Sequence, residues 1–211
     1  MSDSARCPVF ETPLHSFGLA AKAEAIGGTC GVWANERTGH GFVSLRGQVG
    51  NGDFLDGAAR VLGGTLPMVP CTFATLEGAT VLWLSPDEWM IIAPRERAAS
   101  LASQLRAELA GIHSQVVDNS SGFTEVLVAG PKRWDVLSHS TVYDLHKLGQ
   151  GRVVGTTFGK VSVHLRQDGE ALQLLVRRSF ADYVWRFLAR AAQPYGLAIG
   201  ASGPTSEGHS S

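Results

Sequence analysis

The chain of 211 residues carries 18 Lys and Arg against 19 Asp and Glu, a formal net charge of -1, with 44% hydrophobic and 18% charged residues. That composition belongs to a folded globular chain, and the near-zero charge excludes the basic footprint of a nucleic-acid or anionic-membrane binder. Cys7, Cys30 and Cys71 are scattered and form no paired motif, so they read as reduced thiols and not as a disulfide framework or a zinc site.

The stretch from Met1 to Arg6 is polar and lacks the apolar core of a signal peptide. No apolar run approaches the ~18 residues needed to span a bilayer, so the expected location is the cytoplasm. Residues 1–38, with Gly27, Gly28 and Gly31, read as an extended N-terminal arm with short structured pieces. Phe42 to Arg46 alternates as a strand does. Asn51-Gly52 then turns, and Asp53 is placed to cap a helix carrying Phe54, Leu55, Ala58, Ala59 and Leu62. Thr80 to Leu84 and Trp89 to Ala93 are two strands around Ser85-Pro86-Asp87-Glu88, a hairpin turn. A helix over about 95–109 follows, its apolar stripe made of Ala98, Leu101, Ala102, Leu105 and Leu109.

The same order then recurs. Phe123 to Val128 is a strand, and Gly130-Pro131 opens a short helix with Pro at its first position. Val161 to Leu165 and Leu172 to Val176 form a hairpin about Gln167-Asp168-Gly169. Ser179 with Asp182 is set to cap the last helix, whose buried face is Phe180, Val184, Phe187, Leu188 and Ala191. Phe42 and Phe123, Leu84 and Leu165, and Asp87 and Asp168 each lie 81 positions apart. The expected fold class is therefore α+β, a duplicated ferredoxin-like unit over 39–200, with halves of about 39–112 and 113–200. Residues 201–211, rich in Gly, Ser, Thr and Pro, are expected to be a disordered tail.

Chemistry is sparse. Gly149-Gln150-Gly151-Arg152-Val153-Val154-Gly155 is glycine-rich, but a strand follows it where a phosphate site needs a helix N-terminus. Seven histidines form no close pairs of metal-ligand spacing, and His164 on its strand reads as a packing or hydrogen-bonding residue. No G-x-S-x-G elbow is present. Asp118-Asn119-Ser120-Ser121-Gly122 reads as a structural turn ahead of a polar site, and Asp87-Glu88 as solvated turn residues ahead of an acid/base pair. Arg177-Arg178 ends a strand directly before a helix. The pair is suited to hold a carboxylate of a ligand or a partner, or to be absorbed by an acidic residue of this chain and by solvent. The residues imply no catalytic, cofactor-binding or metal-binding site.

Several segments carry a resemblance. Leu84-Ser85-Pro86-Asp87-Glu88-Trp89, Val117-Asp118-Asn119-Ser120-Ser121-Gly122-Phe123-Thr124, Gly130-Pro131 and, most specifically, Leu174-Leu175-Val176-Arg177-Arg178-Ser179-Phe180-Ala181-Asp182-Tyr183-Val184-Trp185 resemble the gamma-subunit family of heterotetrameric sarcosine oxidase. Tyr143-Asp144-Leu145-His146 is similar to a further segment of that family, with Lys147 where the family usually has Pro. The resemblance covers roughly 10–195. It implies a fold like the folate-binding domain of the glycine-cleavage T-protein (aminomethyltransferase-like). It also implies a complex with alpha, beta and delta subunits that oxidises sarcosine to glycine, releasing hydrogen peroxide and formaldehyde or methylene-tetrahydrofolate. FAD, FMN and NAD are then carried by the large subunits and zinc by the smallest. This chain carries no cofactor and, isolated, is expected to be inactive.

The leading expectation is thus an assembly subunit acting through its surfaces, with the aromatic candidates Trp33, Trp89 and Trp185. Trp185 stands outside the apolar set of its helix, so Arg177, Arg178 and Trp185 are the candidate interface residues. The alternatives are a folate-binding module, or the equivalent subunit of an N-methylglutamate dehydrogenase.

Overall fold

The structure is a computed structural model that describes residues 11–23 and 29–201. The tail beyond Ala201 and the first ten residues, Cys7 included, lie outside the described residues. A short helix, α1 (Leu19–Lys22), precedes β1 (Val32–Arg37). Then come β2 (His40–Gly47), α2 (Gly52–Leu62), β3 (Phe73–Leu76), β4 (Ala79–Ser85), β5 (Glu88–Pro94), α3 (Arg95–Glu108) and β6 (Ser114–Asp118). The second run is β7 (Phe123–Ala129), α4 (Arg133–Ser138), β8 (Val153–Phe158), β9 (Val161–Asp168), β10 (Ala171–Arg177), α5 (Ala181–Ala192) and β11 (Leu197–Ile199).

The strands form a five-stranded sheet, β3-β4-β5-β2-β6, and a six-stranded sheet, β11-β1-β7-β10-β9-β8. Read by position, β8-β9-β10-β7 repeats β3-β4-β5-β2, and β11 takes the part of β6. The difference is β1, which is inserted between β7 and β11, antiparallel to the first and parallel to the second. Of the segment expected to be an arm, Val32–Arg37 therefore lies inside a sheet.

Three apolar clusters fix the layering. One lies between α2, α3 and the five-stranded sheet, and contains Phe54, Leu101, Leu105 and Trp89. Another lies between α4, α5 and the six-stranded sheet, and contains Val126, Val136, Leu174 and Leu188. The third, Phe42, Leu82, Met90 and Ile92 with Val153 and Leu175, packs the two sheets face to face. The α+β architecture of two duplicated units is the one expected from the alternating pattern, since each sheet hides one face under helices and the other against its copy.

Local chemistry explains most boundaries and corrects several expectations. The cap of α2 is Asn51, whose Oδ1 accepts the Phe54 N–H at 3.3 Å; Asp53 sits in the first turn instead. At the other end Gly63 adopts φ 68° and donates to the Ala59 carbonyl, a left-handed stop. The α3 stripe of Ala98, Leu101, Ala102 and Leu105 is buried as the spacing demands. Pro131 is not the first residue of α4, which starts at Arg133. Gly130 takes φ 101°, and the Lys132 N–H is spent on the Gly31 carbonyl at 2.9 Å, so a turn intervenes. Ser179 is not a cap either. It lies in a 3₁₀ turn, Arg178–Phe180, and the Asp182 carboxylate accepts from Arg186 at 2.8 Å instead of reaching back.

The buried face of α5 is Ala181, Val184, Trp185, Leu188 and Ala192. Phe180, in the 3₁₀ turn, escapes the helical period and is 43% exposed. Trp185 is 4% exposed and its ring meets Phe17 with centroids 6.1 Å apart. Trp33 and Trp89 are buried as well, and the Trp89 indole N–H donates to the Pro67 carbonyl at 2.9 Å. The three tryptophans named as interface candidates are thus buried, Trp89 in the cluster under α2 and α3 and Trp185 in the cluster between α5 and the six-stranded sheet.

Candidate interaction site

The pairing registers show where the two copies diverge. In the five-stranded sheet, Ser44 of β2 faces Met90 of β5, which faces Leu82 of β4. In the six-stranded sheet, Glu125 of β7 faces Leu175 of β10, which faces His164 of β9. One row further, Phe42 faces Ile92, and Phe123 faces Arg177. Leu82 and His164 stand 82 positions apart, so Leu84 does not take the place of Leu165 as a constant offset of 81 would have it. A slip of one residue moves a side chain to the other face of its sheet. The second copy therefore sets Glu125, His164 and Arg177 where the first has Ser44, Leu82 and Ile92.

Glu125 is fully buried. Its Oε1 accepts from Arg166 Nη2 at 3.0 Å, and its Oε2 lies 3.5 Å from Arg37 Nη1. Arg37 Nη1 also donates to Gln173 Oε1 at 2.7 Å, and Gln173 Nε2 donates to Asp168 Oδ2 at 3.3 Å. Two guanidinium groups and two carboxylates thus balance at the margin of the sheet-to-sheet layer, Glu125 buried and Asp168 exposed, and the Arg166 guanidinium also lies over Phe73, 5.3 Å from its centroid. His40 flanks the group, with its Nδ1 4.0 Å from Glu125 Oε2. Burial, and after it the Arg37 guanidinium, hold the His40 imidazole below its ordinary range against the opposing pull of Glu125. Sequence reasoning missed this network. Its signal was Glu125 standing alone in the apolar strand Phe123 to Ala129.

Arg177 and Arg178 both lie exposed at the end of β10. The Arg177 guanidinium sits over Phe123, 5.2 Å from the ring centroid, a cation–π contact. Arg178 Nη2 donates to the Glu11 carbonyl at 3.0 Å, and its backbone N–H to the Gly122 carbonyl at 2.9 Å. Among the described residues neither guanidinium makes an ion pair with a carboxylate of this chain. Of the two readings left open by the sequence, absorption by an internal acid is therefore not realised there. Trp185, eight residues on, is not brought to this surface, because the helix turns its indole into the core.

His164 lies beside the arginine. Burial first, then the Arg177 charge, hold its imidazole below the usual range. Gly155 of β8 is its cross-strand neighbour, so nothing covers the ring from that side. His164, Ser162, Thr157, Gly155 and Tyr143 line a shallow hollow of about 510 Å³, rimmed by Val142.

The remaining polar segments have structural work. In the turn at 118–122, Asp118 Oδ1 accepts the Ser120 N–H at 2.9 Å, and Ser120 Oγ accepts the Phe42 N–H at 3.0 Å. Asp87 accepts from Ser85 Oγ at 2.8 Å and from Arg46 at 3.2 Å; the serine hydroxyl above all holds its carboxyl below the usual range. The glycine-rich loop stitches the sheets together. Gly151, at φ 73°, accepts the Phe73 N–H at 3.1 Å, and the Val153 N–H donates to the Cys71 carbonyl at 3.0 Å. Among the described residues, no three His, Cys, Asp or Glu side chains are grouped to hold a metal ion.

Comparison with known proteins adds the lineage. The family model described as sarcosine oxidase, gamma subunit family, matches residues 46–194. Sarcosine oxidase subunit gamma of Corynebacterium sp. (strain P-1) is 34% identical over 179 residues, which are 83% of this chain and 87% of that protein. The subunit gamma of Arthrobacter sp. is 37% identical over 125 residues, 58% of this chain and 61% of that protein. A chain of the heterotetrameric sarcosine oxidase from Corynebacterium sp. U-96, solved in complex with pyrrole 2-carboxylate, superposes with a TM-score of 0.79 at 26% identity, covering 91% of this chain and 99% of that one. The glycine cleavage system aminomethyltransferase T from Bartonella henselae shares the fold, with a TM-score of 0.64 at 12% identity over 89% of this chain and 58% of that one. With the family pattern running from β2 through α5, and a relative more than 30% identical across most of both chains, this protein belongs to the sarcosine oxidase gamma subunit family.

Proposed function

We propose that this chain is the non-catalytic gamma subunit of a heterotetrameric sarcosine oxidase, which oxidatively demethylates sarcosine to glycine. The supporting observation is the superposition over 99% of a chain of such a heterotetramer, joined to membership of the family. In this reading alpha, beta and delta subunits are its partners, and they carry FAD, FMN, NAD and zinc. Hydrogen peroxide and formaldehyde, or methylene-tetrahydrofolate, are the other products, and the site of action is the cytoplasm. The two halves, about 39–112 and 113–200, act as one scaffold. Arg177 and Arg178 supply charged contacts to a partner, in keeping with their exposure and with the absence of a paired carboxylate among the described residues.

Co-expression with the three partner subunits, followed by gel filtration and a flavin absorbance scan, tests this reading. The expected result is a yellow complex that contains this chain and releases peroxide when given sarcosine. A chain that elutes alone while the other three form an active complex would overturn it.

A further inference from the structure

We propose that the polar end of the six-stranded sheet, centred on Arg177 and His164, is a docking surface for an acidic segment of a partner subunit, a carboxylate of which Arg177 holds; this rests on the subunit reading above.

The two copies of the fold supply the argument. Ile92 and Leu82, in the places of Arg177 and His164, are 4% and 0% exposed and close the layer between the sheets. In the second copy that layer stops at Leu175 and Val153, and beyond it the sheet carries an exposed arginine and a half-buried histidine. Placing a cation and an imidazole where the fold accepts apolar side chains forgoes burial, and such departures from the local pattern mark functional surfaces.

The chemistry of the surface selects an anion. Arg177 lies over the Phe123 ring, 5.2 Å from its centroid, with its donors unspent on any carboxylate among the described residues. Arg178 beside it donates only to a neutral carbonyl. His164 makes no hydrogen bond or ion pair among the described residues, and its neutral imidazole adds a donor or an acceptor without a competing charge. Asp182 and Asp144, the nearest acids in sequence to the arginine pair and to the hollow, are taken up by Arg186 and Lys147. A planar guanidinium lying over a ring and free at its edge is the geometry that receives a carboxylate through two parallel hydrogen bonds.

The hollow beside it selects a polypeptide. Ser162, Thr157 and Tyr143 line about 510 Å³ with hydroxyl-bearing side chains, and Val142, 89% exposed beside them, adds apolar area that a covering segment would bury. A second copy of this chain does not fit, because a symmetric contact through this face would set arginine against arginine.

The test uses the co-expressed complex. Arg177→Glu and, separately, Val142→Asp are expected to lower retention of this chain in the complex by at least about ten-fold at physiological salt. Arg60→Glu, on the opposite outer layer, should change nothing. Both altered positions are exposed, so circular dichroism of the full chain should be unchanged. If the unaltered chain does not enter a complex, the subunit reading itself fails. If it does enter, and Arg177→Glu and Val142→Asp enter equally well, the docking surface is overturned and the subunit reading survives. Unimpaired assembly together with Arg177-dependent shifts of the His164 ring resonances on adding glutarate would also overturn it, giving the site to a small carboxylate.

Discussion

Arg166 and Glu125 meet at 3.0 Å with side chains 2% and 0% exposed, an ion pair enclosed between two β-sheets beside the apolar cluster of Phe42, Leu82, Met90, Ile92, Val153 and Leu175. Desolvating two charges costs several kcal/mol, and mutual attraction repays that only when the remaining donors and acceptors are satisfied. Here Arg37 contacts the second Glu125 oxygen and Asp168 accepts from Arg166 Nη1, while the buried Arg166 Nε has no partner among the described residues. Replacing Glu125 alone with Leu strands two guanidinium groups and is expected to destabilise the chain by roughly 3–5 kcal/mol. The double substitution Glu125→Leu with Arg166→Met should recover most of that loss, because it removes both charges of the closest pair. Urea unfolding of the two variants checks it; an equal loss in both would show that packing, not charge pairing, sets the cost.

The two half-buried histidines give stability a dependence on pH. Both His40 and His164 are held below their ordinary range in the folded state, burial being the largest cause. A histidine whose folded pKa is depressed binds its proton more readily when unfolded, so stability is complete above about pH 6.5 and declines as pH falls below it. The denaturant midpoint is expected to drop between about pH 7.5 and 5.5. His40→Gln with His164→Leu should flatten that slope. Asp87, whose pKa is also lowered, contributes stability that is lost only in the carboxylate range, well below this window.

Trp185→Ala empties a site in the core of the six-stranded unit, where the indole packs against Phe17. Thermal unfolding should show a loss of roughly 3–5 kcal/mol, with Trp185→Phe milder. Any effect on assembly would then track the unfolded fraction, and stabilising additives would restore it.

Gly130→Ala is expected to destabilise by more than about 1 kcal/mol. The residue adopts φ 101°, and a Cβ there would stand 2.6 Å from the Gly31 carbonyl oxygen. Gly155→Ala, at a negative φ and with only ordinary contacts to His164, should be tolerated in stability. Comparing the two melting temperatures separates backbone strain from loss of space.

Most strands and helices were legible in the sequence because their signals are local. Alternation marks Phe42 to Arg46, four-residue spacing marks Leu101 and Leu105, and turn residues mark 85–88. The recurrence of strand, helix, hairpin and helix exposed the duplication, and the motif around Arg177 exposed the lineage. Caps were misjudged where a competing partner lay nearby. Asn51 outdid Asp53 by standing two residues earlier, just ahead of the first helical residue, and Asp182 was drawn forward to Arg186.

Composition, periodicity and short motifs thus determine the fold class, the order of elements and the family, since each depends on residues close together in the chain. Tertiary packing alone decides the rest. It inserts β1 between β7 and β11, turns three tryptophans inward, and gathers Arg37, Glu125, Arg166 and Gln173 from four strands. It also leaves Arg177 and His164 in the places that Ile92 and Leu82 hold in the first copy. Those outcomes follow from which faces of two stacked sheets meet, a relation between residues far apart in the chain that no local pattern encodes.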